Sequence, residues 1–146
     1  MKRKTLVSLV PILVLSGCLN IPGNLPANEF TFNASNSSTK KAIIKTFRSR
    51  NYRIVRDSKS QLVMDRPAKD SVRARLIYGS KRNTVPNARV LLTITGNKPT
   101  KVNSMAQIVT NPGSRSERIT DVSQNAEARE AIARGMDQVK KQLDKK

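Results

Sequence analysis

Among side chains able to do chemistry, this 146-residue chain offers one thiol, Cys18, and no imidazole. Without histidine and with a single cysteine, neither a Ser/His nor a Cys/His nucleophile can be assembled, and the usual transition-metal ligands are missing. Ten Asp and Glu stand against 28 Lys and Arg. Asp57, Asp65 and Asp70 fall at expected turns or strand ends, where ion pairing with neighbouring Arg and Lys is the expected role. Gly79 and Gly96 lack partners at the spacing of a phosphate-cradling loop. The sequence predicts no cofactor, no metal site and no catalytic residue, and hence not an enzyme.

What Cys18 can do is set by what precedes it. Lys2, Arg3 and Lys4 open the chain, and an apolar run follows over residues 5–15, carried by Leu6, Val7, Leu9, Val10, Ile12, Leu13, Val14 and Leu15. The run holds Pro11 and falls well short of the roughly 20 residues that span a bilayer, so it reads as a secretory signal. A lone thiol in an oxidising compartment is a liability unless it is modified. The signal ends in Leu15-Ser16-Gly17-Cys18, which resembles the lipobox of bacterial lipoproteins. That resemblance implies a diacylglyceryl group on the Cys18 sulfur, cleavage between Gly17 and Cys18, and acylation of the new amino terminus. Two or more acyl chains give stable attachment where one gives only a marginal one. Leu19 follows the cysteine in place of the aspartate that retains lipoproteins in the inner membrane of enteric bacteria. The resemblance thus implies a lipid-anchored protein on the outer membrane, facing the periplasm of a two-membrane bacterium.

Removing residues 1–17 takes away three basic residues and no acid, leaving 25 basic and 10 acidic residues, a net charge of +15 on 129 residues. That length suits one domain. Such a charge predicts attraction to anionic surfaces. Outside the cytoplasm these are phospholipid headgroups, lipopolysaccharide and acidic wall polymers. Nucleic acid ranks below them, because the expected strands lack aromatics on which bases could stack.

The elements that position these charges follow from periodicity. Residues 19–36, with Pro22, Gly23, Pro26 and five asparagines, read as a flexible tether, although Phe30-Thr31-Phe32 alternates as a strand would. Ala42, Ile43, Ile44 and Phe47 give a helical stripe over 37–50, capped by Ser37 or Ser38 and stopped by Asn51, with Lys40, Lys41, Lys45, Arg48 and Arg50 on a solvated remainder. The period then becomes two. Strands are expected over 52–57, 61–66, 72–78, 88–95 and 100–110, with the apolar rows Val72, Ala74, Leu76, Tyr78 and Ala88, Val90, Leu92, Ile94. Residues 79–86 and 96–99 are turns, and 114–122 form a polar connector. Ala128, Ile132, Gly135, Met136, Val139 and Leu143 then stripe a helix over 125–143, acidic at its start and basic at its end.

The expected fold is α+β: an N-terminal helix, an antiparallel sheet of four to five strands and a C-terminal helix, with both helices on one face of the sheet. The organisation is a signal peptide over 1–17, a lipidated Cys18 with its tether over 18–36, and one domain over 37–146. In layout this is similar to small periplasmic α+β lipoproteins. The expected function is a non-catalytic envelope lipoprotein that binds another protein as an accessory component of an envelope assembly. The competing expectation is a binder of anionic lipid or polysaccharide, using Arg73, Arg75 and Arg89 on the open sheet face with Lys81 and Arg82 on the adjoining loop. An apolar open face through Ile77, Leu91 and Val109 would favour the protein partner.

Overall fold

The computed structural model describes residues 28–69 and 85–145. The elements run β1 (Glu29–Phe32), α1 (Asn36–Arg48), β2 (Arg53–Asp57), β3 (Gln61–Pro67), β4 (Asn87–Gly96), β5 (Thr100–Thr110), β6 (Arg118–Asp121) and α2 (Ala126–Leu143). The fold is α+β, with the helices packed together on one face of an antiparallel sheet. The expected strand over 72–78, and with it Val72, Ala74, Leu76, Ile77 and Tyr78, lies outside the described residues.

Both helices begin where short polar side chains can accept orphan amide protons. The Ser35 side chain accepts from the Ser38 amide at the start of α1, and Asn125 accepts from Ala128 at the start of α2. Helix α1 ends before Asn51, whose φ of 65° is the left-handed turn anticipated for it. The helix therefore begins one residue earlier, and is capped earlier, than Ser37 or Ser38 would give. Lys40 also departs from the solvated-face expectation: its ammonium pairs with Asp57 and donates to the Ser58 carbonyl at 2.6 Å.

The sheet runs β1-β5-β4-β3-β2, with β6 also on β5. Its backbone is a β3-β4-β5 meander in which Val63 opposes Leu91 and Leu91 opposes Met105. Six strands are seen among the described residues, more than the four to five expected. The two unexpected ones share the free edge of β5. Strand β1 pairs Glu29 with Asn103 and Phe32 with Thr100, while β6 pairs Asp121 with Gln107 and Arg118 with Thr110. Between them, the Ser104 amide donates to the Asn28 carbonyl and the Ala106 amide to the Ser123 hydroxyl. The stretch assigned to the tether is therefore part of the folded domain from Asn28 onward, and the polar connector over 114–122 contains a strand.

The core lies between this sheet and the helices. Phe32, Leu62, Met64, Val90, Leu92, Ile94, Val102 and Ala106 project from the strands to meet Ile43, Phe47, Ile132, Met136 and Val139. The alternating row read from β4 thus faces the helices as expected, and Val102 and Ala106 of β5 join it. Helix α2 packs on α1 through Gly135, where a Cβ would stand 2.9 Å from the Phe47 ring.

The β4–β5 turn depends on Gly96, which holds φ at 74° with the Pro99 carbonyl oxygen 2.7 Å from where a Cβ would be. Gly96→Ala is therefore expected to cost about 1–3 kcal/mol, read as a fall in the thermal unfolding midpoint.

Candidate functional site

Strand register sorts the sheet face turned away from the helices into rows. One row runs Arg56, Val63, Leu91, Met105. The next runs Arg53, Asp65, Arg89, Gln107, Asp121, and a third runs Pro67, Asn87, Val109, Ile119. The first and third are largely apolar. Val63 and Val109 are buried, while Met105 and Ile119 are 38% and 52% exposed.

The second row contains Arg89, the one member of the expected cationic surface within the described residues. Its guanidinium is closed on Asp65: Nε donates to Oδ1 at 2.7 Å and Nη2 to Oδ2 at 2.8 Å. Both side chains are largely buried, at 14% and 11% exposure. This two-pronged pairing is the geometry that suits a planar guanidinium. The hydrogen bond from Asp65 holds the Arg89 guanidinium above its ordinary pKa. Arg89 is thus spent inside the protein, not offered to an anionic partner. Arg73, Arg75, Lys81 and Arg82 lie outside the described residues. The expectation that Asp57 and Asp65 serve in ion pairs agrees with their places beside Lys40 and Arg89.

Cationic groups gather instead on the helix side. A cleft of about 270 Å³ is lined by Phe47, Arg50, Tyr52, Arg66, Ala131 and Arg134. Each lining residue is there for a local reason. Arg66 follows Leu62 and Met64 on β3 in the phase that faces the core, and its guanidinium carbon sits 5.3 Å from the Tyr52 ring centroid, over the ring. Tyr52 stands edge-on to Phe47 with ring centroids 5.3 Å apart. Arg50 turns back from the end of α1 to grip α2, donating to the carbonyls of Ala131 at 3.2 Å and Arg134 at 3.1 Å and to Gln138 Oε1. Burial pushes the Tyr52 phenol above its ordinary pKa, against the opposing pull of the Arg66 and Arg50 charges. At neutral pH the phenol therefore keeps its proton and can donate.

The sequence reading placed Arg50 on a solvated face and did not single out Arg66 or Arg134. A signal for Arg66 was present, because it continues the inward phase of Leu62 and Met64. Nothing in the sequence marks the reach of Arg50 across to α2. Among the described residues, no group of three or more His, Cys, Asp or Glu could hold a metal, and no helix is long and apolar enough to cross a membrane. No protein-family model matches this chain, and a search of curated proteins likewise gives no match.

Proposed function

We propose that this protein is a non-catalytic lipoprotein of the bacterial envelope, anchored through acylated Cys18, whose α+β domain binds another protein as an accessory part of an envelope assembly. The observation that supports a protein partner is the outward sheet face. Its Arg89 charge is cancelled by Asp65, and the exposed apolar side chains Met105 and Ile119 flank the row that holds this pair, with Arg53 and Arg56 exposed at the β2 edge. Exposed apolar side chains with arginine at their margin match the composition of protein interfaces, where arginine is enriched and other charges are depleted.

Two measurements test the two halves of this reading. For the anchor, the intact mass of protein from the native membrane fraction is expected to lack residues 1–17 and to carry acyl chains, and Cys18→Ser is expected to lose both the lipid and the membrane attachment. An unacylated mass in the parent protein would overturn the anchor. For the partner, a photo-crosslinking residue at Met105 or Ile119 is expected to give a discrete heavier adduct in intact cells, whereas one at Lys59, in the exposed β2–β3 turn, gives none. Equal labelling from all three positions would overturn the sheet face as the docking surface.

The alternative, binding of anionic lipid or polysaccharide, draws support from the charge of +15 that remains after residues 1–17 are removed. Within the described residues, that reading moves from the sheet face to the arginines of the cleft.

A further inference from the structure

We propose that the cleft bounded by Arg50, Tyr52, Arg66 and Arg134 is a phosphate-binding site. This inference is independent of the protein-docking reading of the opposite face.

Three guanidiniums line one cavity of about 270 Å³. Like charges held together repel, and desolvation makes the arrangement costlier unless an anion or a hydrogen-bonded partner offsets it. Arg50 finds hydrogen-bonded partners in Ala131, Arg134 and Gln138, but the acids near the cleft bring no counter-charge to Arg50 or Arg66. Glu130 pairs with Arg134 at 2.7 Å, but both side chains are more than half exposed at the rim. Asp65 acts on Tyr52 electrostatically yet is hydrogen-bonded to Arg89 on the other face of the sheet. Among the described residues, neither Arg50 nor Arg66 takes part in an ion pair.

The hydrogen-bond inventory points the same way. Arg66 Nε is buried and has no hydrogen-bond partner. A buried donor left in that state is destabilising, so a polar group that accepts from it is favoured. Arg50 is fixed by its bonds to Ala131, Arg134 and Gln138, so its charge is held in place before any ligand arrives. The Tyr52 phenol adds a neutral donor, and the Tyr52 ring lies 5.3 Å from the Arg66 guanidinium carbon in a cation–π contact. The Arg66 guanidinium and the Tyr52 hydroxyl as donors, with the fixed Arg50 charge beside them, suit a tetrahedral oxyanion, which accepts several charge-assisted hydrogen bonds at once. Phosphate is the expected ligand, either free in solution or carried on a lipid headgroup.

The probe is inorganic phosphate, titrated calorimetrically into the full-length protein in neutral detergent. One saturable site is expected. Arg66→Met keeps an unbranched apolar stem but removes the guanidinium, and should weaken binding about tenfold or more, as loss of a charge-assisted hydrogen bond does. Glu130→Gln releases Arg134 from its rim pair without touching the core, and should tighten binding about twofold, the scale of an exposed ion pair. Arg56→Met, which removes one charge on exposed β2, should leave the affinity unchanged. Absence of a saturable phosphate site in the parent protein overturns the proposal, as does equal weakening by Arg56→Met and Arg66→Met. Should Arg66→Met fail to fold, the Glu130→Gln affinity decides: unchanged or weaker binding refutes the site. Competition by phosphatidic acid carried in mixed micelles of the same detergent then assigns the source. Displacement of phosphate by these micelles identifies a headgroup as the ligand, and binding unaffected by them identifies soluble phosphate.

Discussion

Asp65→Ala is expected to lower the unfolding free energy by about 3 kcal/mol, the lower end of the range for removing one partner of a buried ion pair. The reason is asymmetry. Asp65 and Arg89 satisfy each other through two short bonds, and each side chain is nearly nine-tenths buried. Deleting the carboxylate strands a guanidinium that cannot lose its proton and has little water to turn to. The pair itself is a different matter, because two desolvated charges return little net stability. Asp65→Leu combined with Arg89→Met should therefore recover to within about 1 kcal/mol of the parent, since buried pairs can be exchanged for apolar groups at little cost. Urea unfolding followed by circular dichroism measures both. A double variant as unstable as Asp65→Ala would show that the pair is a source of stability in its own right. The exposed Lys101–Glu29 contact, at 3.7 Å, makes a useful contrast. Its removal should change almost nothing, as for most surface pairs.

Phe47→Ala should be the most damaging single core substitution, at about 3–5 kcal/mol by the usual cost of emptying an aromatic site. Phe47 is 1% exposed, meets Tyr52 edge-on and packs against Gly135 of α2. That geometry makes a second, less obvious outcome testable. In a free helix, replacing glycine by alanine would stabilise by about 1 kcal/mol. At position 135 the added methyl meets the buried ring at 2.9 Å, and overpacking costs of about 1–3 kcal/mol exceed the propensity gain. Gly135→Ala should therefore destabilise the parent yet improve a Phe47→Leu background, where the ring edge is gone. Thermal unfolding of the four proteins gives the coupling directly. Independent, additive effects would mean that the helices separate instead of clashing.

These particulars show where the sequence is informative. The row on β4 and the stripe on α2 were legible because one face of each element is buried, and burial writes itself as a period of two or of three to four. Strand β6 was not legible: all four of its residues are exposed and Ile119 alone is apolar, so no alternation distinguishes it from a loop. Strand β1 left only the Phe30-Thr31-Phe32 alternation, inside a stretch whose prolines and asparagines read as a tether. The Asp65–Arg89 pair depends on the register of two strands, which composition does not disclose. The cleft was hidden for a related reason. Its arginines come from the end of α1, from β3 and from the middle of α2, and a long flexible cation in sequence looks the same whether it points to water or folds back onto a neighbouring helix.

The position of β1 on β5 imposes an order on the birth of this domain. Residues 29–32 leave the ribosome, and in an exported chain would cross the membrane, long before their partners at 100–103 exist. Until then β1 has no strand to pair with, and the cost of closing so long a loop is repaid only after β5 has itself been built. Strands β4 and β5, joined by the short turn over 97–99, can pair without waiting. An unpaired β5 edge stays open for that interval, and an open edge invites pairing with another chain. Strand β1 is thus the first segment made and among the last to be secured, and its arrival beside β6 closes the edge along which nascent copies could adhere.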